Sequence, residues 1–168
     1  MEETIKAYIA GFLYGDGSIF FQLVRRKDNR LGYEIRASVC FYQHSAHLQI
    51  LNWLKEKLGV GYIRDRKNGV CDYNIVGYKN VEKVINILEP YVILKREHIE
   101  KAKQIINMMK KTKKPTPENF LKIARLVDEF SALNFSKKKT QTSESVREFF
   151  ESKGFLTPVT TDVTTKSL

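Results

Sequence analysis

The chain has 168 residues, of which 42% are apolar, a length and composition that suit one domain with its own core. Its formal net charge of +10 indicates a polyanionic partner, because clustered Lys and Arg side chains release counterions from phosphates; a basic surface without such a partner is the alternative. Two cysteines are too few for a disulfide framework, no apolar run approaches the roughly 20 residues of a membrane span, and the acidic Glu2-Glu3 start is unlike a targeting peptide, so the sequence predicts an intracellular protein with no membrane association.

The first predicted element is an apolar helical segment, Ala7 to Ile19, that ends on a glycine-flanked aspartate, Asp16. Ala7, Gly11 and Gly15 lie four residues apart and leave one helix face without large side chains, where a second backbone can approach closely. Since Gly costs about 1 kcal/mol relative to Ala inside a helix, this stripe indicates a packing role. A buried core helix followed by a Gly-Asp-Gly turn is the alternative that these residues leave open.

Two strands are predicted between Phe20 and Phe41, joined by the polar link Lys27 to Gly32. Their side chains alternate with period two, which indicates a hairpin with one face in the core and one in solvent. The solvent face is predicted to carry Gln22, Val24, Arg26, Glu34, Arg36, Ser38 and Cys40.

A helix follows in the prediction, with Ser45 as its N-cap, leucines at helical spacing and Gly59 at its end. Asn68-Gly69 is then a strong turn signal between two alternating segments, which predicts a second hairpin. This hairpin adds four side chains to the polar face of the sheet: Arg64, Arg66, Asp72 and Asn74.

The remainder is predicted to be helical. The predicted helices contain Val81 to Leu88 before Pro90, Arg96 to Lys111, a segment from a Thr116 cap and Pro117 to about Leu133, and Ser143 to Ser152. An antiparallel sheet with helices packed on its apolar face is the economical architecture, so the predicted fold class is α+β. Residues 1–153 are predicted to form one domain, and residues 154–168 a flexible tail.

The polar sheet face combines the side chains that read base edges in duplex DNA. Arg pairs with guanine, Gln and Asn pair with adenine, and carboxylates accept from the cytosine amino group, while a two-stranded ribbon fits the major groove. Phosphate affinity alone would need only Lys and Arg. An ordinary solvated sheet face with cross-strand ion pairs is the alternative.

Residues Ala10 to Ser18 resemble the signature helix of the LAGLIDADG homing endonucleases, with the final Gly-Asp-Gly intact and Tyr14 where the family often has an acidic residue. The resemblance continues to about Ser152 and is greatest to the single-motif, chloroplast-intron branch of that family. The further matching segments, in the same order, are Gly59 to Arg66, Asp72-Tyr73, Pro90-Tyr91 and Ala132 to Asn134. The resemblance implies an αββαββα core with a four-stranded antiparallel saddle sheet per protomer and additional C-terminal helices.

The resemblance also implies the chemistry. Asp16 would bind the catalytic divalent metals, with the Gly15 carbonyl as a second oxygen ligand, and Mg²⁺ is the expected ion. Mn²⁺ is expected to substitute and Ca²⁺ to bind without cleavage. Gln43 matches a residue that orders the attacking water, Lys95 matches a basic residue near the scissile phosphate, and His47 stands where the branch has an arginine.

Since the motif occurs once, the resemblance implies a homodimer, with Ala7, Gly11, Phe12 and Gly15 at its interface, acting on a pseudo-palindromic target. Double-stranded DNA would lie along the sheet and contact Asn29 besides the polar-face residues, while Lys137, Lys138 and Lys139 match a phosphate-contacting stretch. The implied function is site-specific cleavage of both strands with 3′ overhangs, in an organelle, a chloroplast or else a mitochondrion. An RNA maturase and a DNA-binding regulator on the same scaffold are the alternatives.

Overall fold

The computed structural model describes residues 1–112, 114–134 and 141–157. The predicted order of helix, hairpin, helix, hairpin and further helices is confirmed, and the fold class is α+β. The elements are α1 (Glu3–Asp16), β1 (Gly17–Arg25), β2 (Tyr33–His44), α2 (Leu48–Leu58), β3 (Tyr62–Asp65), β4 (Val70–Val76), α3 (Tyr78–Leu88), α4 (Arg96–Lys111), α5 (Pro117–Leu133) and α6 (Ser143–Ser152).

The four strands form one antiparallel sheet in the order β1-β2-β4-β3. The two hairpins therefore pair through β2 and β4, with Phe41 opposite Tyr73 at their junction. Odd-numbered residues of the long strands, such as Phe21, Val39 and Ile75, are buried beneath the helices. The predicted parity is confirmed, and it leaves the even-numbered face of the sheet uncovered by the helices.

The helices on the apolar face begin and end where local signals predict. The Thr116 hydroxyl accepts from the Asn119 amide at the start of α5, and Thr142 forms a capping box with Ser145 at the start of α6. Burial of the apolar stripes of these helices against one another and against β1 completes a continuous core. No helix within the described residues is long and apolar enough to cross a membrane.

Two boundaries differ from the sequence-based expectation. The entry to α2 is a 3₁₀ turn, Ser45–His47, and its cap is His44, whose Nδ1 accepts from the Ala46 amide, so Ser45 is not the N-cap. Within the predicted tail, the described residues 154–157 continue the packed chain, since Phe155 contacts Phe150. Residues 158–168 and the predicted phosphate-contacting lysines, 137–139, lie outside the described residues.

Candidate functional site

Asp16 lies at the point where α1 passes directly into β1, without a connecting loop. The chain reverses sharply there, and a Cβ at Gly17 would lie 2.8 Å from the Leu13 Cα, so only glycine permits this approach. The reversal leaves the Asp16 side chain exposed at the C-terminal end of the helix. Because the last carbonyls of a helix have no intrahelical partners, the Gly15 carbonyl is available beside this carboxylate.

Two other predicted site residues lie around this helix end. The Gln43 amide on β2 donates to the Asp16 Oδ2 at 2.8 Å, which orients the carboxylate. The Lys95 Nζ donates to the Gly17 carbonyl at 3.0 Å, and burial lowers the pKa of this lysine. Further along β1, the Asn134 amide donates to the Ile19 carbonyl at 2.8 Å. The structure thus brings Asp16, Gln43 and Lys95 together.

His47 lies three residues beyond the end of β2. It is exposed at the end of the 3₁₀ turn before α2, with its ring 6.5 Å from the ring of His44. Within the described part of the chain, His47 has no hydrogen bond to Asp16, Gln43 or Lys95. Its assignment to catalysis therefore rests on the resemblance alone.

The oxygen atoms around Asp16 suit a hard divalent cation. Gln43 donates to one carboxylate oxygen, and the other has no hydrogen-bond partner among the described residues. The Gly15 carbonyl lies at the negative end of the helix dipole. Among residues 1–112, 114–134 and 141–157, no group of three or more His, Cys, Asp and Glu side chains is placed to hold a metal ion.

The small-residue stripe of α1 faces away from the core. Ala7, Gly11 and Gly15 are exposed, and a Cβ at either glycine would meet no atom within 4 Å. The alternative of a wholly buried core helix is therefore wrong for this face. Phe12, also predicted at the interface, is half-buried, with its ring 6.0 Å from the ring of Phe41 in the same chain.

Large apolar side chains flank this open stripe. Ile93 and Leu94, just before Lys95, are 82% and 67% exposed, and Tyr14 is also exposed. A cavity of about 190 Å³ separates α1 from this segment. Sequence patterning missed the pair because adjacent aliphatic residues between two helices are typical of core positions; only the structure places them outside.

The polar side chains predicted to read DNA share one face of the sheet. Gln22 lies opposite Arg36, Val24 opposite Glu34, and Arg64 opposite Asp72, so each pair projects to the same side. Gln22, Asn29, Arg64 and Arg66 are exposed, while Val24, Arg26, Glu34, Arg36, Ser38 and Asn74 are partly exposed.

Two residues of that set are buried beneath their neighbours. Asp72 is 0% exposed and Cys40 is 2% exposed, so neither presents surface to DNA in this conformation, and their direct contact with DNA stays a prediction. The Asp72 carboxylate accepts from the Arg64 Nη2 and the Arg66 Nε, each at 2.9 Å, and from the Asn74 amide. Asp72 is instead the anchor that holds two exposed guanidinium groups on the polar face.

The other arginines of the face are also paired. Arg36 contacts Glu34 at 2.6 Å, and Arg26 contacts Asp28 at 2.7 Å. Cross-strand and local ion pairs were the expectation for an ordinary solvated face, yet the same pairs restrict the rotamers of side chains that would meet DNA. Such restriction lowers the entropy that a binding surface loses on association.

Replacing Asp72 by asparagine is expected to make stability depend less on pH. Burial raises the pKa of this carboxyl, but the hydrogen bonds from Arg66, Arg64 and Asn74 outweigh it and hold the pKa well below its usual range. A depressed folded-state pKa contributes stability above the unfolded pKa of about 4, and that stability disappears as the pH falls further. Urea unfolding should show Asp72→Asn less stable by roughly 1–3 kcal/mol at pH 7, with a smaller deficit at pH 3.

The matched control is Asp28→Asn, which removes the carboxylate of an exposed pair with Arg26. Solvent screens that pair, so its loss should change stability much less at either pH. An Asp72→Asn deficit that is the same at pH 7 and pH 3 would contradict the assignment of an ionised, buried Asp72.

Comparison with known proteins matches most of the chain to one family. A family model described as LAGLIDADG endonuclease matches residues 9–106. The chain is 34% identical over 148 residues to the DNA endonuclease I-CvuI of Chlorella vulgaris, covering 88% of this chain and 91% of that protein. It is 32% identical over 145 residues to the DNA endonuclease I-CreI of Chlamydomonas reinhardtii, covering 86% of this chain and 88% of that protein.

The fold is also that of a solved relative. The crystal structure of the homing endonuclease I-CvuI in complex with its target, in the presence of calcium, superposes with a TM-score of 0.86 at 33% identity, over 91% of this chain and 96% of that one. Sequence and fold therefore agree along nearly the whole described chain, and the protein belongs to the LAGLIDADG endonuclease family.

Proposed function

We propose that this protein is a homodimeric, Mg²⁺-dependent endonuclease that cuts both strands of a long pseudo-palindromic DNA site and leaves 3′ overhangs. The observation that carries the proposal is the position of Asp16, an exposed carboxylate at the end of an exposed small-residue helix face. Two such helices packed together would bring two copies of Asp16 close to a two-fold axis. That axis would relate the two copies, so that each one serves the cut in one DNA strand.

The dimer interface is proposed to be the open face of α1. Space at Gly11 and Gly15 admits a second backbone, and the exposed Tyr14, Ile93 and Leu94 supply apolar area at its edge. Exposed apolar patches of this kind mark association surfaces. The partner copy would contribute the second Asp16 and so complete the cation sites.

Asp16 and the Gly15 carbonyl are the residues that would hold the cation. A bound divalent cation supplies a nucleophilic water and neutralises charge on the phosphate. Mg²⁺ is the expected ion, Mn²⁺ a substitute, and Ca²⁺ an ion that binds without supporting cleavage. The relative I-CvuI has been crystallised with its target in the presence of calcium, and with the I-CreI target in the presence of magnesium with the DNA not cleaved.

The surrounding side chains position groups and stabilise charge. In the protein without DNA or metal, the Gln43 amide orients the Asp16 carboxylate. When that carboxylate binds a divalent cation instead, the Gln43 amide is free to order the attacking water. Lys95 places a positive charge beside the helix end, where a scissile phosphate would lie. His47 is proposed to hydrogen-bond solvent near the same site.

The polar sheet face is proposed to lie along the major groove. Gln22, Arg36 and Arg64 project from it in positions fixed by strand register, and Arg66 follows the end of β3. Glu34 orients Arg36, and Asp72 orients Arg64 and Arg66. Base edges or phosphates would compete for the free guanidinium N–H groups.

Cleavage of a plasmid library carrying randomised inserts tests the proposal. With Mg²⁺ we expect a defined subset of inserts to be cut in both strands, related by an approximate two-fold axis, with 3′ extensions at the sequenced ends. With Ca²⁺ the same inserts should be bound and left intact. Binding without cleavage in Mg²⁺ and in Mn²⁺ would favour the regulator instead.

Competition between nucleic acids separates the endonuclease from the maturase. The major groove of A-form RNA is too deep and narrow for side chains of a ribbon to read. Duplex DNA carrying the selected site should therefore displace bound protein from intron RNA, whereas preferential retention on the RNA would favour the maturase.

Replacing Lys95 by methionine is expected to slow cleavage with little effect on DNA affinity. The methionine keeps the length of the buried stem but removes the charge beside the Gly17 carbonyl. Loss of one charge-stabilising group costs about 10²-fold in the chemical step, to be measured as the single-turnover rate at saturating protein. The control is Lys103→Met on α4, whose amine pairs with Glu89 away from the site; equal losses in both variants would contradict the role of Lys95.

The gene is proposed to be organellar, and its compartment to be a chloroplast. The support is the resemblance to the intron-encoded branch and the similarity to two endonucleases from the green-algal genera Chlorella and Chlamydomonas.

A further inference from the structure

The tip of the first hairpin, residues 26–32, is a tightly hydrogen-bonded loop. The Arg26 amide donates to the Gly32 carbonyl at 2.9 Å, the Asn29 amide to the Arg26 carbonyl at 3.1 Å, and the Gly32 amide to the Asn29 carbonyl at 2.8 Å. The Asn29 side chain also accepts from the Leu31 amide. The loop therefore presents its exposed polar side chains from one backbone conformation.

Helix α6 packs directly against the base of this tip. Gly32 has φ +69°, and a Cβ there would lie 2.7 Å from the Phe149 Cε1, so both the backbone and the ring require glycine. The Arg25 guanidinium carbon lies 3.9 Å from the centre of the Phe149 ring and 4.8 Å from that of Tyr33. Phe149 thus contacts the last residue of β1 and the last residue of the tip.

The tip is also supported by one long-range hydrogen bond and by the buried side chain of Leu31. Beneath it is a cavity of about 470 Å³, lined in part by Asn29, Arg30 and Leu31. Across this space the tip reaches the segment between α4 and α5 through the Arg30 guanidinium, which donates to the Pro115 carbonyl. Leu31 is buried, and the Phe149 ring lies against Gly32 at the base of the loop.

The tip and the cleavage site lie at opposite ends of β1. This strand has nine residues, from Gly17 beside Asp16 to Arg25. At roughly 3.3 Å per residue the strand spans about 26 Å, which corresponds to about eight base pairs at 3.4 Å each. A sheet lying along the groove would place the tip over the outer base pairs of each half-site.

We propose that α6, through Phe149, positions the hairpin tip and thereby determines sequence preference at the outer base pairs of the DNA site. This inference rests on the proposed function, because it assumes that the sheet binds DNA. Phe149 itself would not touch DNA; it is a positioning residue that acts through Gly32 and Arg25. Cleavage chemistry at Asp16, at the far end of the strand, should not depend on it.

Two variants disturb the contact from opposite sides. Phe149→Leu removes the ring from the contact, and Gly32→Ala inserts a methyl group between the tip and the ring. Phe155→Leu is the matched control, since it makes the same change in the same C-terminal segment, and the Phe155 ring contacts Phe150 rather than the tip. The double variant Gly32→Ala/Phe149→Leu tests whether the two changes act on one contact.

The first measurement is amide hydrogen exchange of the protein without DNA. In Phe149→Leu and Gly32→Ala we expect the Arg26, Asn29 and Gly32 amides to exchange at least about tenfold faster, because local opening of the tip becomes easier. The same amides should be unchanged in Phe155→Leu. Unchanged exchange in both tip variants would overturn the proposal, whether or not the protein cuts DNA.

The second measurement compares cleavage of the selected site with that of sites altered at single base pairs. A single mismatched base pair normally lowers the preference for a site about tenfold or more. In the tip variants, the preference for the selected base pair should fall to within about twofold at outer positions and persist at central positions. The cleavage rate of the unaltered site should not change. Equal loss at central and outer pairs would overturn the proposal. Failure of the unmodified protein to cut any site would instead overturn the proposed function, which the exchange measurement distinguishes.

Discussion

Replacing Asp16 by asparagine is expected to slow DNA cleavage by about 10³-fold or more. Site-specific binding should remain at least as tight as in the unmodified protein. Asparagine keeps the shape of the side chain and an oxygen that can accept from the Gln43 amide, so the local geometry should persist. What is lost is the negative charge that would hold a divalent cation, one at each copy of the residue. Single-turnover cleavage in Mg²⁺ and gel-shift titration in Ca²⁺ measure the two effects separately.

Asp65→Asn is the control for this substitution. It removes one exposed carboxylate from the end of β3, where Asp65 accepts from the Lys67 amide, a bond that asparagine can also accept. This variant should cut at the rate of the unmodified protein. Normal cleavage by Asp16→Asn would show that the cation is held elsewhere, and equal weakening of binding in both variants would show that charge alone matters.

Sequence signals predicted the helices best where the signals are local. The bounds of α4 and α6 and the Thr116 cap of α5 follow from spacing, capping and proline, which act within a few residues. Where competing caps lie side by side the prediction failed, because the imidazole of His44 rather than the hydroxyl of Ser45 accepts the first amide of the turn.

The polar face shows what periodicity can and cannot predict. Alternation fixed the side of the sheet on which Asp72 projects, and strand pairing confirms that side. It could not predict depth, since the burial of Asp72 depends on Arg64 and Arg66, which fold over it from a neighbouring strand and its end. Periodicity also could not predict the exposure of Ile93 and Leu94, because that exposure depends on which helices leave the segment uncovered.

A leucine at Gly11 is expected to eliminate cleavage by removing the dimer, although the Cβ it adds meets no atom of the single chain. No atom lies within 4 Å of a Cβ at this position, and the helix exchanges a glycine for a better helix former, worth about 1 kcal/mol. The stability of the isolated chain should therefore rise rather than fall, so a loss of cleavage must come from contact with a second molecule. Sedimentation of Gly11→Leu should give the mass of one chain, with an unchanged far-ultraviolet circular dichroism spectrum and no cut product.

Asn86→Leu is the corresponding control, since it places the same side chain at an exposed position of α3. It should remain dimeric and active. A protein with leucine at Gly11 that still sediments as a dimer and cuts DNA would mean that α1 does not form the interface. Two copies of Asp16 would then not meet there, because the proposed arrangement brings them together through the two helix faces that Gly11 and Gly15 leave open.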